Sequence, residues 1–265
     1  MLGAILGDII GSPYEFRSEK TKDFPLFSNG GSITDDSLMT IAVGCACVNA
    51  NLCDEDDFKD KVAYFMRLIG TQYRDAGYGG KFYKWLHDET MGPYKSFGNG
   101  SGMRVSPVAY AGKTLEEVEK LAKWSAEVTH NSLDGIRGAQ AVASSIFLAK
   151  NGKSKDEIRK YVSDNYYILD FTLDEIRPNY SFDVTCLGSV PHAITCFLEA
   201  DSFEDAIRNA VSLGGDGDTI GAMAGAIAEA YYGIPEDLQE KAFEYMDDTV
   251  QEYYYAYADE LYRQR

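Results

Sequence analysis

Gly214-Gly215-Asp216-Gly217-Asp218-Thr219-Ile220-Gly221 runs straight into Ala222-Met223-Ala224-Gly225-Ala226-Ile227-Ala228-Glu229-Ala230. Two carboxylates and a hydroxyl fall within four residues, on glycine-rich backbone that bends sharply and admits close neighbours. The run of small residues behind them predicts a helix able to pack tightly. Asp and Thr favour helix starts because their oxygens accept from the free N–H groups of the first turn. The simplest reading is therefore a helix cap with an exposed carboxylate. A second stretch, Ser32-Ile33-Thr34-Asp35-Asp36-Ser37, bears on that choice. It too is a Thr/Asp cluster placed directly before a helix, and two clusters of hard oxygen donors at two helix starts predict one shared metal site.

Outward from these two stretches the chain reads as helix after helix. Leu2–Ile10 is a short apolar helix ending at Gly11 and Pro13, and Ser12–Ile33 is a loop carrying Glu15. The helix opening at Thr34–Asp36 has Leu38, Ile41, Ala42 and Cys45 on one face, the spacing of a buried stripe. Asp54 caps a helix to about Ile69, Gly77–Gly80 breaks the chain, and Lys81–His87 adds one or two turns. Met91–Gly102 reads as loop, with helices over Met103–Ala111 and Leu115–Val128. Asn131 and Asp134 resemble a capping pair, and Ile136, Ala139, Ala143, Ile146 and Phe147 form the core face of the helix that follows. Ser154 caps Asp156–Val162, and Asp170–Tyr180 reads as one turn followed by a loop at Pro178. Helices are expected over Gly188–Glu199 and Phe203–Leu213. Gly233 and Pro235 precede one last long helix with Phe243, Met246, Val250, Tyr253, Tyr257 and Leu261 at helical spacing. No convincing period-two run occurs. The fold expected is all-α, a single multi-helix domain over residues 1–265, with no linker or repeat to divide it.

Composition narrows the function classes. The 265 residues suffice for a substantial core, and 45% hydrophobic content is that of a globular chain. Forty-two acidic against 25 basic residues give a net charge of −17, which argues against non-specific nucleic-acid binding and against anionic membranes. Cys45, Cys47, Cys53, Cys186 and Cys196 have no paired-motif spacing and read as reduced core thiols of a cytoplasmic protein. Asp8 interrupts the first apolar run, which speaks against a signal peptide. The longest nearly apolar run, Leu38–Val48, is too short to span a bilayer.

Gathered in one place, Asp35, Asp36, Asp216 and Asp218 would repel strongly, since one carboxylate pair at about 4 Å costs about 4 kcal/mol at an effective dielectric near 20. Such a cluster persists when carboxylates are protonated or cations are bound. All-oxygen donors suit Mg2+, Mn2+ or Ca2+ rather than zinc. Two divalent ions would neutralise four carboxylates, an arrangement common in hydrolytic sites. The stretch from Asp216 is not an EF-hand loop, because Ile220 and Ile227 stand where oxygen ligands are required.

Five motifs in order along nearly the whole chain carry a family resemblance. They are Gly7-Asp8-Ile9-Ile10-Gly11 with Glu15; Thr34-Asp35-Asp36; Gly98-Asn99-Gly100-Ser101-Gly102-Met103-Arg104; the helix start from His130 to Asp134; and Gly215-Asp216-Gly217-Asp218-Thr219. In these the chain resembles the ADP-ribosylglycohydrolase family, which includes dinitrogenase-reductase-activating glycohydrolases and eukaryotic ADP-ribosylhydrolases. The resemblance implies a compact all-α domain with two divalent cations, Mg2+ or Mn2+, held by Thr34, Asp35, Asp36, Asp216, Asp218 and Thr219. It implies cleavage of the bond between ADP-ribose and a protein side chain or small molecule, with Asp36 and Asp218 central to catalysis. The metals would grip the vicinal hydroxyls of the distal ribose.

Other residues take roles within that expectation. Backbone N–H groups of Gly98, Asn99, Gly100, Ser101 and Gly102, with Met103 and Arg104 behind them, form a turn of the kind that cradles a pyrophosphate. The same turn without a ligand is an ordinary loop. Gly77–Gly80 is either a second wall of the cleft or a flexible turn. His130 is a substrate-contacting or structural histidine. Glu15 is the candidate acid/base, against a solvated loop acid. Arginine-type relatives carry an acid about two positions before the Gly-Asn pair, where this chain has Ser96 and Phe97. That departure points away from the arginine linkage, with Asp75 or Glu15 as the fallback base if arginine is the substrate. A second class of function stays open, a catalytically silent relative acting as a binding, immunity or structural protein. A metal-dependent hydrolase of another substrate, such as a phosphoester, is the third.

Overall fold

The described residues of a computed structural model form fifteen α-helices and one 3-10 turn, joined by loops. The structure describes residues 1–263, with nothing described for the side chains of 257–259 and 261–263. The order begins α1 (Leu2–Gly11), a 3-10 turn (Ser12–Tyr14), α2 (Asp35–Asn49), α3 (Glu55–Gly70) and α4 (Gly80–His87). Two single turns follow, α5 (Gly100–Met103) and α6 (Val108–Ala111), then α7 (Leu115–Glu127), α8 (Leu133–Lys150) and α9 (Lys155–Asn165). The chain finishes with α10 (Leu173–Ile176), α11 (Cys186–Leu198), α12 (Phe203–Val211), α13 (Gly217–Tyr232), α14 (Glu236–Phe243) and α15 (Asp248–Arg263). Among the described residues the β-structure is a single isolated bridge, Gly98 to Thr185.

At the centre α13 lies antiparallel against α1, backbone to backbone. Glycines recur every fourth residue in both helices and face one another, Gly3 with Gly225, Gly7 with Gly221 and Gly11 with Gly217. A Cβ placed on Gly7 would sit 2.0 Å from the Gly221 carbonyl oxygen, and one on Gly221 would sit 2.6 Å from that of Gly7. Backbone atoms cannot turn aside as a side chain can, so only glycine fits here. The small-residue run that follows Asp216 thus finds its partner at the N-terminal end of the chain. This brings Glu15, just past α1, beside the start of α13. Around the pair, one continuous apolar core takes in residues from nearly every helix.

Local chemistry explains the helix starts. Asp54 accepts from the Asp56 and Asp57 amides, Ser154 and Glu157 form a reciprocal capping box, and Thr172 and Glu175 form another. At α8 the capping residue is Ser132, which accepts from the Gly135 amide, and not Asn131 with Asp134. Asn131 instead accepts from the Lys95 amide.

Elsewhere the helical pattern breaks. The single helix expected over 103–111 is two turns separated at Val105–Pro107, because the residue before a proline is disfavoured in the helical region. The loop expected to reach Gly102 ends earlier, at Asn99, where α5 begins. The long C-terminal helix is two helices, because the Asp247 carboxylate accepts from the Val250 amide and starts a new one. Met246 and Val250 are buried on both sides of that break. Tyr257 and Leu261 lie outside the residues whose side chains are described. α2 is buried on all faces from Asp36 to Cys47, not along a stripe. Four cysteines are buried free thiols, and Cys53 is exposed.

Candidate active site

The α2 start is built by three side chains. Thr34 caps the helix by accepting from the Asp36 amide at 3.2 Å. Asp8, fully buried in α1, accepts from the Thr34 amide (2.8 Å), the Thr34 hydroxyl (2.8 Å), the Ser37 amide (3.1 Å) and the Ser37 hydroxyl. Asp35 and Asp36 project from the first turn that this brace holds. Asp8 was legible as the one charge in an apolar helix, yet the pattern alone assigned it no role.

At the α13 start the expected helix cap is not formed. Asp216 occupies the N-cap position, but its side chain makes no capping hydrogen bond. Its carboxylate is buried and accepts from the Asn99 amide group at 2.7 Å. Asp218 accepts from the adjacent Thr219 amide (2.9 Å) and shares a hydrogen bond with the Asp216 carboxyl, and the Thr219 hydroxyl donates across to Asp36 at 3.2 Å. That last bond joins the two helix starts directly.

All six expected ligand residues, Thr34, Asp35, Asp36, Asp216, Asp218 and Thr219, line one cleft of about 410 Å³ together with Glu15. One carboxylate oxygen each from Glu15, Asp216 and Asp218 lies within 4.8 Å of the others. The electrostatics are those of crowded acids. Burial raises Asp35, Asp36 and Asp216 well above the usual carboxylate range, and Asp218 is raised for the same reason. The neighbouring carboxylates push the first three further, Asp8 and Asp218 foremost for Asp35 and Asp36. Glu15 is pushed up to about 7, first by partial burial, then by Asp218 and Asp8. Asp8 likewise reaches about 7, by burial and Asp218, against the opposing bonds from Ser37 and Thr34.

A divalent cation fits this donor set. Every donor is an oxygen, the carboxylates repel one another, and the Asp36 Oδ1 atom is buried with no hydrogen-bond partner.

The glycine loop divides into two parts. Gly98, Asn99, Gly100, Met103, Arg104 and His130 line the cleft. Ser101 and Gly102 do not: the Ser101 hydroxyl donates to the Gly135 carbonyl at 2.7 Å, and a Cβ on Gly102 would lie 3.1 Å from the Met223 sulfur. These two pack the loop against α8 and α13. The amides of Gly98, Asn99, Gly102 and Met103 are also engaged within the protein, which narrows the backbone cradle. Gly100 lets the His130 ring come close, since a Cβ there would lie 3.2 Å from Nε2. His130 Nδ1 pairs with the Thr129 hydroxyl at 2.7 Å, and burial with Arg104 nearby holds the imidazole well below its usual pKa, hence neutral. Arg104 is 1% exposed and donates to the Ser125 carbonyl and the Thr129 hydroxyl. It braces the Thr129–His130 pair, and its Nε has no partner.

Gly77, Gly79 and Gly80 do line the cleft, beside the N-terminus of α4. Asp75 is exposed and outside it. Phe16, Lys81, Phe82, Tyr94, Phe182 and Val184 also line it, and nothing in their spacing marked them beforehand. Lys20 staples the walls together: its ammonium donates to the carbonyls of Tyr180 (2.6 Å) and Leu213. It thereby ties the Glu15 loop to the segment leading into Asp216.

Comparison with known proteins meets this geometry. A family model for ADP-ribosylglycohydrolase matches residues 1–265. The chain belongs to the ADP-ribosylglycohydrolase family. It is a glycohydrolase by that membership, and the reading as a catalytically silent relative is not favoured. It is 28% identical to ADP-ribosylhydrolase ARH3 of Bos taurus, over 94% of this chain and 89% of that one. It is 26% identical to the ADP-ribosyl-[dinitrogen reductase] glycohydrolase of Rhodospirillum rubrum, over 89% of this chain and 85% of that protein. An ADP-ribosylglycohydrolase-related protein complex has the same fold, with a TM-score of 0.63 at 22% identity over 92% of this chain and 94% of that one. Among the described residues no helix is long and apolar enough to cross a membrane.

Proposed function

We propose that the protein is a metal-dependent hydrolase that cleaves the glycosidic bond between ADP-ribose and a modified side chain or small molecule. The observation that carries this reading is the convergence of two helix starts and Glu15 on the floor of one cleft. Thr34, Asp35, Asp36, Asp216, Asp218 and Thr219 would hold a pair of Mg2+ or Mn2+ ions, which would supply positive charge to offset the carboxylates and to bind ribose hydroxyls.

The protein's own groups do the rest. Glycoside cleavage passes through an oxocarbenium-like ribose and needs a proton donor or acceptor beside the anomeric carbon. Glu15, with its carboxyl raised to about 7, exchanges a proton near neutral pH, where general acid/base catalysis is most effective. Asp8 and the Thr219–Asp36 bond fix the donors before substrate arrives, so that little reorganisation remains. Gly100, Gly79 and Gly80 offer open backbone to the diphosphate, with the neutral His130 beside Gly100.

No acid stands at Ser96 or Phe97; Ser96 lines the cleft and its hydroxyl accepts from the Gly98 amide at 3.2 Å. A missing catalytic acid acts at the bond-breaking step, whereas attraction of a guanidinium by the acidic surface is screened within about 8–10 Å. Cleavage of O-linked or small-molecule ADP-ribose is therefore expected to be at least as fast as that of the arginine linkage. Comparing kcat/KM on ADP-ribosyl-serine, ADP-ribosyl-arginine and a small-molecule conjugate tests this. A hundredfold preference for arginine would overturn the linkage assignment, and no hydrolysis of any would overturn the function.

A further inference from the structure

Large hydrocarbon side chains left in water are informative when they gather and not when they scatter. Among the described residues eleven large hydrophobic side chains are exposed, and four of them are tyrosines with a polar end. Of the remaining seven, all but Ile168 lie in the cleft lining or on segments directly attached to it: Phe16, Phe97, Leu133, Phe182, Val184 and Leu187.

Their proximity follows from the backbone. The Phe16 and Phe182 rings lie 5.6 Å apart, one beside Glu15 and one on the opposite wall. Val184 accepts from the Asn99 amide and Phe97 from the Cys186 amide, so 97–99 and 184–186 run strapped side by side with Leu187 next along. The Ser132 hydroxyl donates to the Ser96 carbonyl at 2.6 Å, which seats Leu133 against the same loop. Phe16, Phe182 and Val184 line the cleft, whereas Phe97, Leu133 and Leu187 lie outside it. The apolar band thus begins inside the cleft, beside the candidate acid/base, and continues onto the surface.

We propose that this rim docks an apolar segment flanking the ADP-ribosylated residue of a polypeptide substrate, so that the sequence around the modified residue sets how fast it is cleaved. The proposal rests on the glycohydrolase reading above and adds to it the surface that selects among substrates. A small conjugate held in the cleft cannot cover Leu133, at 72% exposure, or Leu187, at 61%. Only a substrate extending beyond the cleft reaches them. A second copy of this chain seated on the band would close the mouth through which substrate must pass.

The test uses mono-ADP-ribosylated peptides of one linkage whose flanking residues are either leucine and phenylalanine or glycine and serine, beside the free ADP-ribosyl amino acid. The variant is the full-length Leu133→Glu, Leu187→Glu double substitution. Both positions lie in first helical turns, where an acidic residue is tolerated. Wild type should cleave the apolar-flanked peptides with kcat/KM at least tenfold higher, mainly through KM. The variant should lose that preference while its rate on the free amino acid stays within twofold. Equal rates on both peptide sets, or a preference that survives the substitutions, would overturn the docking assignment. Dimers of the wild type that dissociate in the variant, seen by light scattering, would give the band to a second copy instead. Failure to cleave any of these substrates would count against the glycohydrolase reading and so is distinguishable from failure of the rim.

Discussion

The two helix starts that face each other across the cleft are made of the same residue types and are held in different ways. At α2 the protein satisfies its own geometry: Thr34 caps the helix, and Asp8 accepts four hydrogen bonds that fix Thr34 and Ser37. At α13 the N-cap carboxylate caps nothing, and Asp216 and Asp218 are held among other acids. The α2 start is braced by the chain's own caps, whereas the α13 start has no side-chain cap. An aspartate at a helix start is therefore assigned by asking whether its oxygens are already engaged with the helix's free amides.

The largest effect should come from removing charge on either side of the cleft. Asp36→Asn and Asp218→Asn each keep side-chain shape, and each should remove most hydrolytic activity while circular dichroism and thermal melting show a folded protein. Because the two serve one site, the double variant should be little worse than either single, the signature of groups acting as a unit. Additive losses, or loss from only one, would mean that the helix starts work separately.

Glu15→Gln should come next, lowering kcat by about 10²–10⁴-fold while ADP-ribose binding, followed calorimetrically, persists. A rate within a few-fold of wild type would return Glu15 to the role of a solvated loop acid.

The smallest effect is on stability, and it separates the two helix starts most finely. In chelator-treated protein Thr34→Ala should cost about 1–2 kcal/mol through loss of the cap. Asp216→Asn should cost nothing and raise the melting temperature at pH 8. The sign follows from linkage: the folded, metal-free protein holds protons on raised carboxylates that the unfolded chain would release, so its stability falls as pH rises. For Asp8 and Glu15 that fall runs from the ordinary carboxylate range to about pH 7. A metal-free wild type that gains stability between pH 5 and pH 8 would contradict the crowded-acid description.

The same contrast explains what could be read from the sequence. Helices announced by their own caps, at Asp54 and Ser154, were legible because capping is a local bond. The two clusters of oxygen donors that line the cleft were legible because both stood at helix starts. Breaks within a periodic pattern were not: the apolar spacing of Met246 and Val250 continues across Asp247, so the eye carries one helix through two. Tertiary partners were least legible. The glycines of α1 and α13 are spaced alike, but only the fold shows that they face each other. Ser101 and Gly102 belonged to a plausible phosphate loop and turned inward, because side-chain direction depends on the packing of α8 and α13. Asp8 stood out as a charge in an apolar helix, yet its task became visible only with Thr34 and Ser37 around it.

The central claim is that these two helix starts close around divalent cations to cleave ADP-ribose from its conjugate. Turnover of mono-ADP-ribosylated substrate, measured after chelation and dialysis and again on titration with Mn2+ or Mg2+, tests it most directly. Activity should vanish on stripping and return in full with added metal, saturating at two ions bound per chain. Undiminished turnover in metal-free buffer would contradict it.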